Sequence, residues 1–339
     1  MEIEKDHKKC VLVTGGLGYI GSHIVLELLN CGKQVVIADN LSNSSMQVYY
    51  TIKDIYKGEL LFFYNVDVST ESATYESIFM THQITDIIHM AAYKSVNESI
   101  KKPTLYYRNN IDSLLCLLNY MKLYDIKNLI FSSSATVYGN SEPPFLENTE
   151  TGKGLTNPYG KTKYMCEEIL KDIQDMNIYL LRYFNPIGSH PSGLIGDNPN
   201  GIPNNIMPYL LRVANGQYDK LNIFGDDYNT EDGTAERDYI HVMDLANAHV
   251  MALSNIKNGL NIYNVGTGKA TSVMKLVKTF EKVNNIKINY EITDKREGDV
   301  EASYCKSDKI YKELGWKAKY DLEDMCKDSW NFIKKLNEK

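Results

Sequence analysis

The chain has 339 residues, 43% of them hydrophobic and 24% charged, with a formal net charge of -6 at pH 7. That length suits two packed lobes better than one core. The acidic balance lacks the electrostatic footprint of a nucleic-acid or anionic-membrane binder, and no apolar run approaches the roughly 18 residues of a membrane span.

Six cysteines, at positions 10, 31, 116, 166, 305 and 326, form no C-x-x-C pair, which favours free thiols in a reducing compartment. The opening MEIEKDHKKC is polar and has no apolar leader core, so a cytoplasmic protein is expected.

In chain order, CVLVTG reads as a buried strand and IGSHIVLELLNCG as a helix that stops at Gly32. QVVIADN, ELLFFYNVDVS, ITDIIHMAAY and IKNLIFSSSA follow as further apolar runs separated by amphipathic segments. Buried strands alternating with helices predict an α/β, Rossmann-type doubly wound parallel sheet. After LRYFNPIG the texture changes: residues 186–240 are rich in Pro, Gly, Asn and Asp, which predicts a loop-rich lobe. GLNIYNVGTG, near 260–266, is a candidate to rejoin the sheet. The C-terminal stretch YKELGWKAKYDLEDMCKDSWNFIKKL predicts a helix of alternating charge forming a solvated outer face.

VLVTGGLGYIGSH carries the strongest local signal. Gly16, Gly18 and Gly21 fit G-x-G-x-x-G, and Gly15 also begins a G-x-x-G-x-x-G run. The motif follows a buried strand and opens a helix, where tight turning and free N–H groups suit a pyrophosphate. Asp39 ends the second strand 18 residues beyond Gly21, close to the distance of about 20 for a ribose-binding acid. No arginine stands nearby to accept a 2′-phosphate, so the cofactor is NAD and not NADP. The blander alternatives are an ordinary strand–helix turn and an aspartate that caps it. The expected division is an NAD-binding Rossmann domain over residues 1–184 and a smaller C-terminal substrate-binding lobe over 185–339.

IKNLIFSSSATVYG ends a later strand on Ser132, Ser133 and Ser134. Strand C-termini are where open α/β sheets bind ligands, although the serines alone could be turn residues. Downstream, Asn157 and Pro158 predict an N-cap and first helical residue, putting Tyr159 and Lys163 one turn apart on one helix face. With 25 tyrosines the Tyr-x-x-x-Lys spacing alone decides nothing, and Tyr49–Lys53 repeats it. That second pair is set aside because no serine run or recognisable helix start precedes it.

TGGLGYIGSH, DNLSNS, SSSATVYG, NPYGKTK and LRYFNPIG together resemble the extended short-chain dehydrogenase/reductase superfamily. More narrowly, PSGLIGDNPNGIPNNIMPY, FGDDYNTEDGTAERDYIHVMD, YNVGTG and REGD resemble the UDP-glucose 4-epimerase family, in that family's order from about Val11 to at least Asp299. The resemblance implies reversible C4 epimerisation of UDP-galactose and UDP-glucose through a 4-keto sugar, with transient reduction of NAD. Tyr159, as phenolate, is implied to be the base, Lys163 its cationic partner, and Ser134 the hydrogen-bond donor to the reacting oxygen. A free phenol titrates near 10, so bringing it to about 7 requires roughly 4 kcal/mol of preferential phenolate stabilisation.

The same resemblance places Gly15, Gly18, Tyr19, Ile20 and Gly21 at the pyrophosphate turn. It sets Asp39, Asn40, Leu41, Ser42, Asn43 and Ser44 along the ribose, and Asp67 and Val68 at the adenine. Met90, Ala91, Ala92, Tyr93 and Lys94 pass the phosphates and nicotinamide ribose, and Asn109 and Phe184 are further cofactor contacts. For the nucleotide sugar it implies Lys94, Ser134, Ala135, Thr136, Tyr159, Asn185 and Asn205, with Asn222, Ile223 and Phe224 facing the uracil. Arg237 and Arg296, two of only five arginines in the chain, are the implied diphosphate ligands; Asp299 is the implied uridine-ribose ligand. Ser303 stands where some members carry a bulky tyrosine, which implies room for UDP-GalNAc and UDP-GlcNAc, although Tyr304 next door leaves a one-residue slip open. A homodimer is implied, with the helix after Tyr159 and the SLLCLLNYMKLY helix packing on their mates.

Rival readings keep their place. A dehydratase needs an acid–base pair after the serine, where this chain has Ala135 and Thr136. A pentose or uronate 4-epimerase, a one-way dehydrogenase and a non-catalytic NAD-binding protein of the same fold remain open. DDYNTEDG fails as a calcium loop, because the sixth position from Asp227 is Asp232 and the twelfth is Asp238. No metal is expected.

Overall fold

The structure is a computed structural model that describes residues 9–296 and 298–338. Residues 1–8, which form most of the polar opening discussed above, and Glu297 of the REGD motif lie outside the described residues.

The chain begins as β1 (Cys10–Thr14), α1 (Tyr19–Asn30), β2 (Gln34–Asp39), α2 (Met46–Tyr56), β3 (Leu61–Asn65) and α3 (Ala73–Thr81). It continues through β4 (Ile84–His89), α4 (Val96–Lys101), α5 (Pro103–Leu123), β5 (Asn128–Ser134), α6 (Pro158–Lys171) and β6 (Asn177–Tyr183). Short elements follow: β7 (Asn185–Ile187), α7 (Ile206–Ala214), β8 (Leu221–Phe224), β9 (Glu236–Arg237) and β10 (Tyr239–His241). The chain then forms α8 (Val242–Ser254), β11 (Leu260–Val265), β12 (Thr271–Ser272), α9 (Val273–Asn284), β13 (Tyr290–Thr293), β14 (Ala302–Ser303), α10 (Asp308–Leu314) and α11 (Leu322–Asn337).

Seven parallel strands form the central sheet in the order β11-β6-β5-β4-β1-β2-β3. The expected doubly wound class is the one found. The apolar runs look continuous because both faces are covered. Val11, Val13, Val35 and Ile37 pack with α1 and α8, whereas Leu12, Val36 and Ala38 pack with α3 and α5. From β1 the chain winds one way to β3, then crosses to β4 and the other half. The crevice outside the C-terminal ends of β1 and β4 is therefore the switch point where such sheets bind ligands.

Two expectations need adjustment. The segment 186–240 is not simply loop-rich, since it contains α7 and four strands of two to four residues, too short to show a period. The C-terminal helix α11 is not only a solvated face: Met325, Cys326, Ser329, Phe332 and Ile333 are buried, and the Ser329 hydroxyl accepts the Gly188 N–H at 3.1 Å. Its charges occupy the outer side. None of the six cysteines is joined in a disulfide. Among the described residues, no helix is long and apolar enough to cross a membrane.

Candidate active site

The glycine turn has the geometry of a backbone cradle. Gly15 adopts φ +66°, and a Cβ there would meet Ala91 N at 2.9 Å. A Cβ on Gly21 would lie 2.2 Å from Gly15 O. Gly18 caps α1 without any side-chain bond, so no side chain competes for the first N–H groups of the helix, where an anion binds. Tyr19 and Ile20 open α1, and the Tyr19 hydroxyl donates to Gly188 O at 2.7 Å.

Asp39 is buried at the end of β2. One carboxylate oxygen accepts Leu17 N–H at 3.0 Å; the other accepts Leu41 N–H at 2.9 Å and Ser44 Oγ–H at 2.8 Å. It therefore does cap this turn, holding Leu41 at φ 59°, yet a carboxylate has about four acceptor sites and keeps capacity for a ribose hydroxyl. Ser42 and Asn43 are exposed beyond it. Asn40 donates to Asp67 at 3.3 Å. Burial pushes the Asp67 carboxyl up, but hydrogen bonds from Ser69 and Asn40 bring it below its ordinary value. Val68 is buried beside it.

After β4 the chain turns through Met90, Ala91, Ala92, Tyr93 and Lys94 along the same crevice. Met90 and Ala91 donate their N–H groups to Thr14 Oγ, each at 3.2 Å. Asn110, which sequence reasoning missed, accepts Tyr93 N–H at 2.8 Å and donates to Tyr93 O and to Thr162 Oγ, each at 3.0 Å. It ties the loop after β4 to α6, while its neighbour Asn109 donates to Asn110 at 3.0 Å. The Lys94 ammonium stands 5.8 Å from the Tyr19 ring centroid.

The predicted catalytic helix begins as expected. Asn157 accepts Gly160 N–H at 2.8 Å and Pro158 occupies the first turn. Lys163 is buried; its ammonium donates to Ser132 O at 2.6 Å and to Ser132 Oγ at 3.1 Å. Burial lowers Lys163 to about 8, opposed by its interactions with Cys166 and Glu167. Burial also raises the Tyr159 phenol, while a hydrogen bond with Ser134 opposes the rise. Ser134 Oγ accepts Thr136 N–H at 3.2 Å, and the buried Thr136 hydroxyl has no hydrogen-bond partner. Ala135 and Thr136 follow Ser134 directly, in a short 3-10 turn.

The competing pair Tyr49–Lys53 does have a helix start, contrary to the sequence expectation, because both lie in α2. Tyr49 instead packs on Phe63, with ring centroids 5.5 Å apart, and Lys53 is exposed.

Beyond β6 the other candidates gather. Arg237 donates to Asp299 at 2.7 Å, Arg296 reaches the other oxygen of Asp299 at 3.2 Å, and the Arg296 guanidinium stacks 4.3 Å over Phe224. Asp299 thereby orients both guanidinium groups. On β8, Asn222 is exposed but Ile223 is only 1% exposed, its side chain part of a hydrophobic core. Ile223 is thus enclosed between the exposed Asn222 and the half-buried Phe224. Asn185 lies on β7 and Asn205 is exposed at the start of α7. Phe184 is buried against Phe145.

Ser303 pairs with Arg237 in the parallel β14–β9 register, so the two residues share a face and Tyr304 follows on the other. Asp238, also missed, accepts Thr267 N–H at 2.7 Å, Thr267 Oγ–H at 2.6 Å and Gly268 N–H at 2.9 Å, joining the YNVGTG turn to the Arg237 strand. Among the described residues, no group of three or more His, Cys, Asp or Glu is placed to hold a metal ion.

A parallel sheet with a glycine cradle at its switch point, a strand-end acid and a Ser–Tyr–Lys group define a dinucleotide-dependent enzyme of the short-chain type. Residues 12–329 match the family model described as GDP-mannose 4,6 dehydratase. UDP-glucose 4-epimerase of Haemophilus influenzae is 50% identical over 331 residues, covering 96% of this chain and 97% of the relative. The Bacillus subtilis enzyme of that name is 48% identical, covering 95% and 96%. A crystal structure of UDP-glucose 4-epimerase from Bifidobacterium longum in complex with NAD+ and UDP superposes with a TM-score of 0.92 at 46% identity, covering 96% of this chain and 98% of that one. This chain belongs to the UDP-glucose 4-epimerase family of extended short-chain dehydrogenases/reductases.

Proposed function

We propose that this protein is an NAD-dependent isomerase that reversibly epimerises UDP-galactose and UDP-glucose at C4. The observation that carries the reading is the meeting of Tyr159, Lys163 and Ser132–Ser134 at one strand end, in a chain about half identical to enzymes of that name. The dehydratase description of the family model is disfavoured by Ala135 and Thr136, which have no acid–base pair for water loss.

The glycine cradle and Asp39 fit the pyrophosphate and ribose of NAD, and the chemistry NAD supplies when bound is reversible hydride storage, so no net redox change occurs. Tyr159 Oη takes the proton of the sugar 4-hydroxyl as C4 becomes a ketone, and returns it after the keto sugar has turned. Lys163 places a cation beside that phenolate, and Ser134 holds the reacting oxygen within hydrogen-bond reach. Arg237 and Arg296 hold the diphosphate, and Asp299 both orients them and reaches the uridine ribose. Residues 1–184 are the NAD-binding part, and 185–339 mainly hold the UDP-sugar.

The test is purified protein with UDP-galactose and no added cofactor, followed by proton NMR. UDP-glucose should appear. No conversion, even after NAD is added, would move the assignment to a pentose or uronate sugar or to a binding role.

Arg296→Met keeps the apolar stem on Phe224 and removes the charge. A hydrogen bond to a charged group contributes about 1.5–3 kcal/mol, so KM for UDP-galactose should rise roughly 10- to 100-fold with kcat little changed. Steady-state kinetics check this, and a fall in kcat alone would contradict the phosphate role.

UDP-GalNAc and UDP-GlcNAc are proposed as further substrates, because Ser303 shares a face with Arg237 and is small. Ser303→Tyr should lower N-acetylhexosamine turnover at least tenfold relative to hexose turnover. An unchanged ratio would end the gate idea.

The assembly proposed is a homodimer in the cytoplasm. Leu105 and Leu115 on α5 and Met165 on α6 are about 40% exposed, an apolar surface consistent with pairing of these helices with their mates. Sedimentation should give twice the chain mass.

A further inference from the structure

Successive turns of α6 are tied to the last three residues of β5. Tyr159 lies close enough to the Ser134 hydroxyl for that group to favour the phenolate, Lys163 holds the carbonyl and hydroxyl of Ser132, and Glu167 accepts the Ser133 hydroxyl at 2.5 Å. The first two contacts involve the reaction's own groups. The third has no part in the chemistry derived above.

Glu167 is fully buried and takes a two-pronged bond from Arg182 on β6, with Nε to one oxygen at 2.9 Å and Nη2 to the other at 2.6 Å. Ser133 and Arg182 are themselves register partners between β5 and β6, so the carboxylate clamps α6 to two adjacent strands at one point. Arg182 Nη1 also donates to Tyr138 Oη at 3.0 Å and to Glu147 O at 3.1 Å, and Tyr138 donates to Asn264 on β11 at 2.6 Å. The turn carrying Ala135 and Thr136 is thereby joined to the same hub.

A buried ion pair is weak evidence of stabilisation, since well-packed apolar groups often do as well. What it adds is a directional contact. Other contacts of α6 include the Asn110–Thr162 hydrogen bond, which ties it to α5 and not to β5, and apolar packing through Cys166 and Leu170, which sets position along the helix axis only loosely.

We propose that Glu167 is a positioning residue for the reaction, fixing through Ser133 and Arg182 the register of α6 against β5, and so the reach of Tyr159 to Ser134 and of Lys163 to Ser132. The inference rests on the epimerase reading above. Displacement of a reacting group by about 1 Å can cost on the order of 10²-fold in rate. The negative charge of Glu167 also favours the charged form of Lys163. Cys166 on α6, whose thiol the Glu167 charge pushes up, and His89 on β4 are the other titratable neighbours of that lysine.

The test compares wild type, Glu167→Gln and Ser133→Ala as holoenzymes on UDP-galactose across pH. For Glu167→Gln, kcat should fall roughly 30- to 100-fold with KM within about threefold. The rising limb of kcat should also move up by about one pH unit, because a tenfold loss of phenolate stabilisation raises the phenol by one unit. A role confined to holding the fold together would scale activity equally at every pH and leave that midpoint in place. Ser133→Ala keeps the ion pair and should show a smaller loss with a smaller shift in the same direction; it decides the matter if Glu167→Gln does not fold. An unmoved midpoint, or kcat within twofold of wild type, in the variants that fold overturns the inference. An inactive wild type sinks the epimerase reading and this inference together, whereas an active wild type with indifferent variants sinks the inference alone.

Discussion

Tyr159→Phe should lower kcat for UDP-galactose by about 10³-fold, within the 10²- to 10⁴-fold range that a positioned acid–base group contributes, while KM changes by less than about threefold. The phenyl ring keeps the packing of the half-buried side chain, and the glycine cradle and the arginines are untouched, so both ligands should still bind. The variant should retain its NAD through purification. The pH profile gives the sharper readout. A Tyr159 that is the proposed base must be deprotonated, so wild-type kcat should rise with pH through the tyrosine's titration in the complex. In the free chain, burial pushes this phenol up and Lys163 down to about 8, so burial disfavours both charged forms. The rising limb should disappear in Tyr159→Phe and shift upward in Lys163→Met, which removes the cation and leaves the base. If Tyr159→Phe kept more than about a tenth of wild-type kcat, another group would be the base.

Where the sequence could be read, the physics was local. The cap Asn157 and Pro158 announce α6 because a side-chain acceptor and a fixed φ act within one turn. The glycine turn is legible because only glycine tolerates the approach of Gly15 to Ala91 and of α1 to Gly15. The choice of Arg237, Arg296 and Asp299 came from family order, not from spacing, and the pairing of both arginines on Asp299 was not legible. Asn110 and Asp238 were not legible, since each is a buried polar residue whose partners lie far away along the chain. An Asn-Asn pair within an amphipathic helix was the only hint of the first. Tyr49–Lys53 shows the converse, because a helix start and the right spacing do no chemistry where no strand end faces them. For α11, the alternating charges drew attention to the outer face. Met325, Cys326, Ser329, Phe332 and Ile333 nevertheless form a stripe at helical spacing. In β8 a four-residue strand is too short to show which alternate residue points inward, and Ile223 went to the core.

Gly21→Ala should cost the protein its NAD. Alanine is a better helix former than glycine by about 1 kcal/mol, so at this position in α1 the intrinsic effect favours the variant, and any loss must come from the space around the new methyl group. That space is already filled, with Gly15 O at 2.2 Å, Gly16 Cα at 2.9 Å and Gly15 C at 3.1 Å from an ideal Cβ. All three are backbone atoms of the turn proposed to hold the pyrophosphate, so no flexible side chain can give way. Either α1 withdraws from β1 or the turn opens, and both move the N–H groups from the anion they face. Overpacking of this kind costs roughly 1–3 kcal/mol of stability, and NAD affinity should fall at least about 100-fold, since several charge-assisted hydrogen bonds weaken together. Gly32→Ala is the control. That glycine, just past α1, has φ +72° and no atom within 4 Å of the added Cβ, so it bears only backbone strain of about 1–2 kcal/mol and should keep its cofactor. Nucleotide released on denaturation, measured by chromatography, separates the two variants: near zero for Gly21→Ala and close to the wild-type ratio for Gly32→Ala. Equal NAD content in both would mean that the turn does not cradle the pyrophosphate.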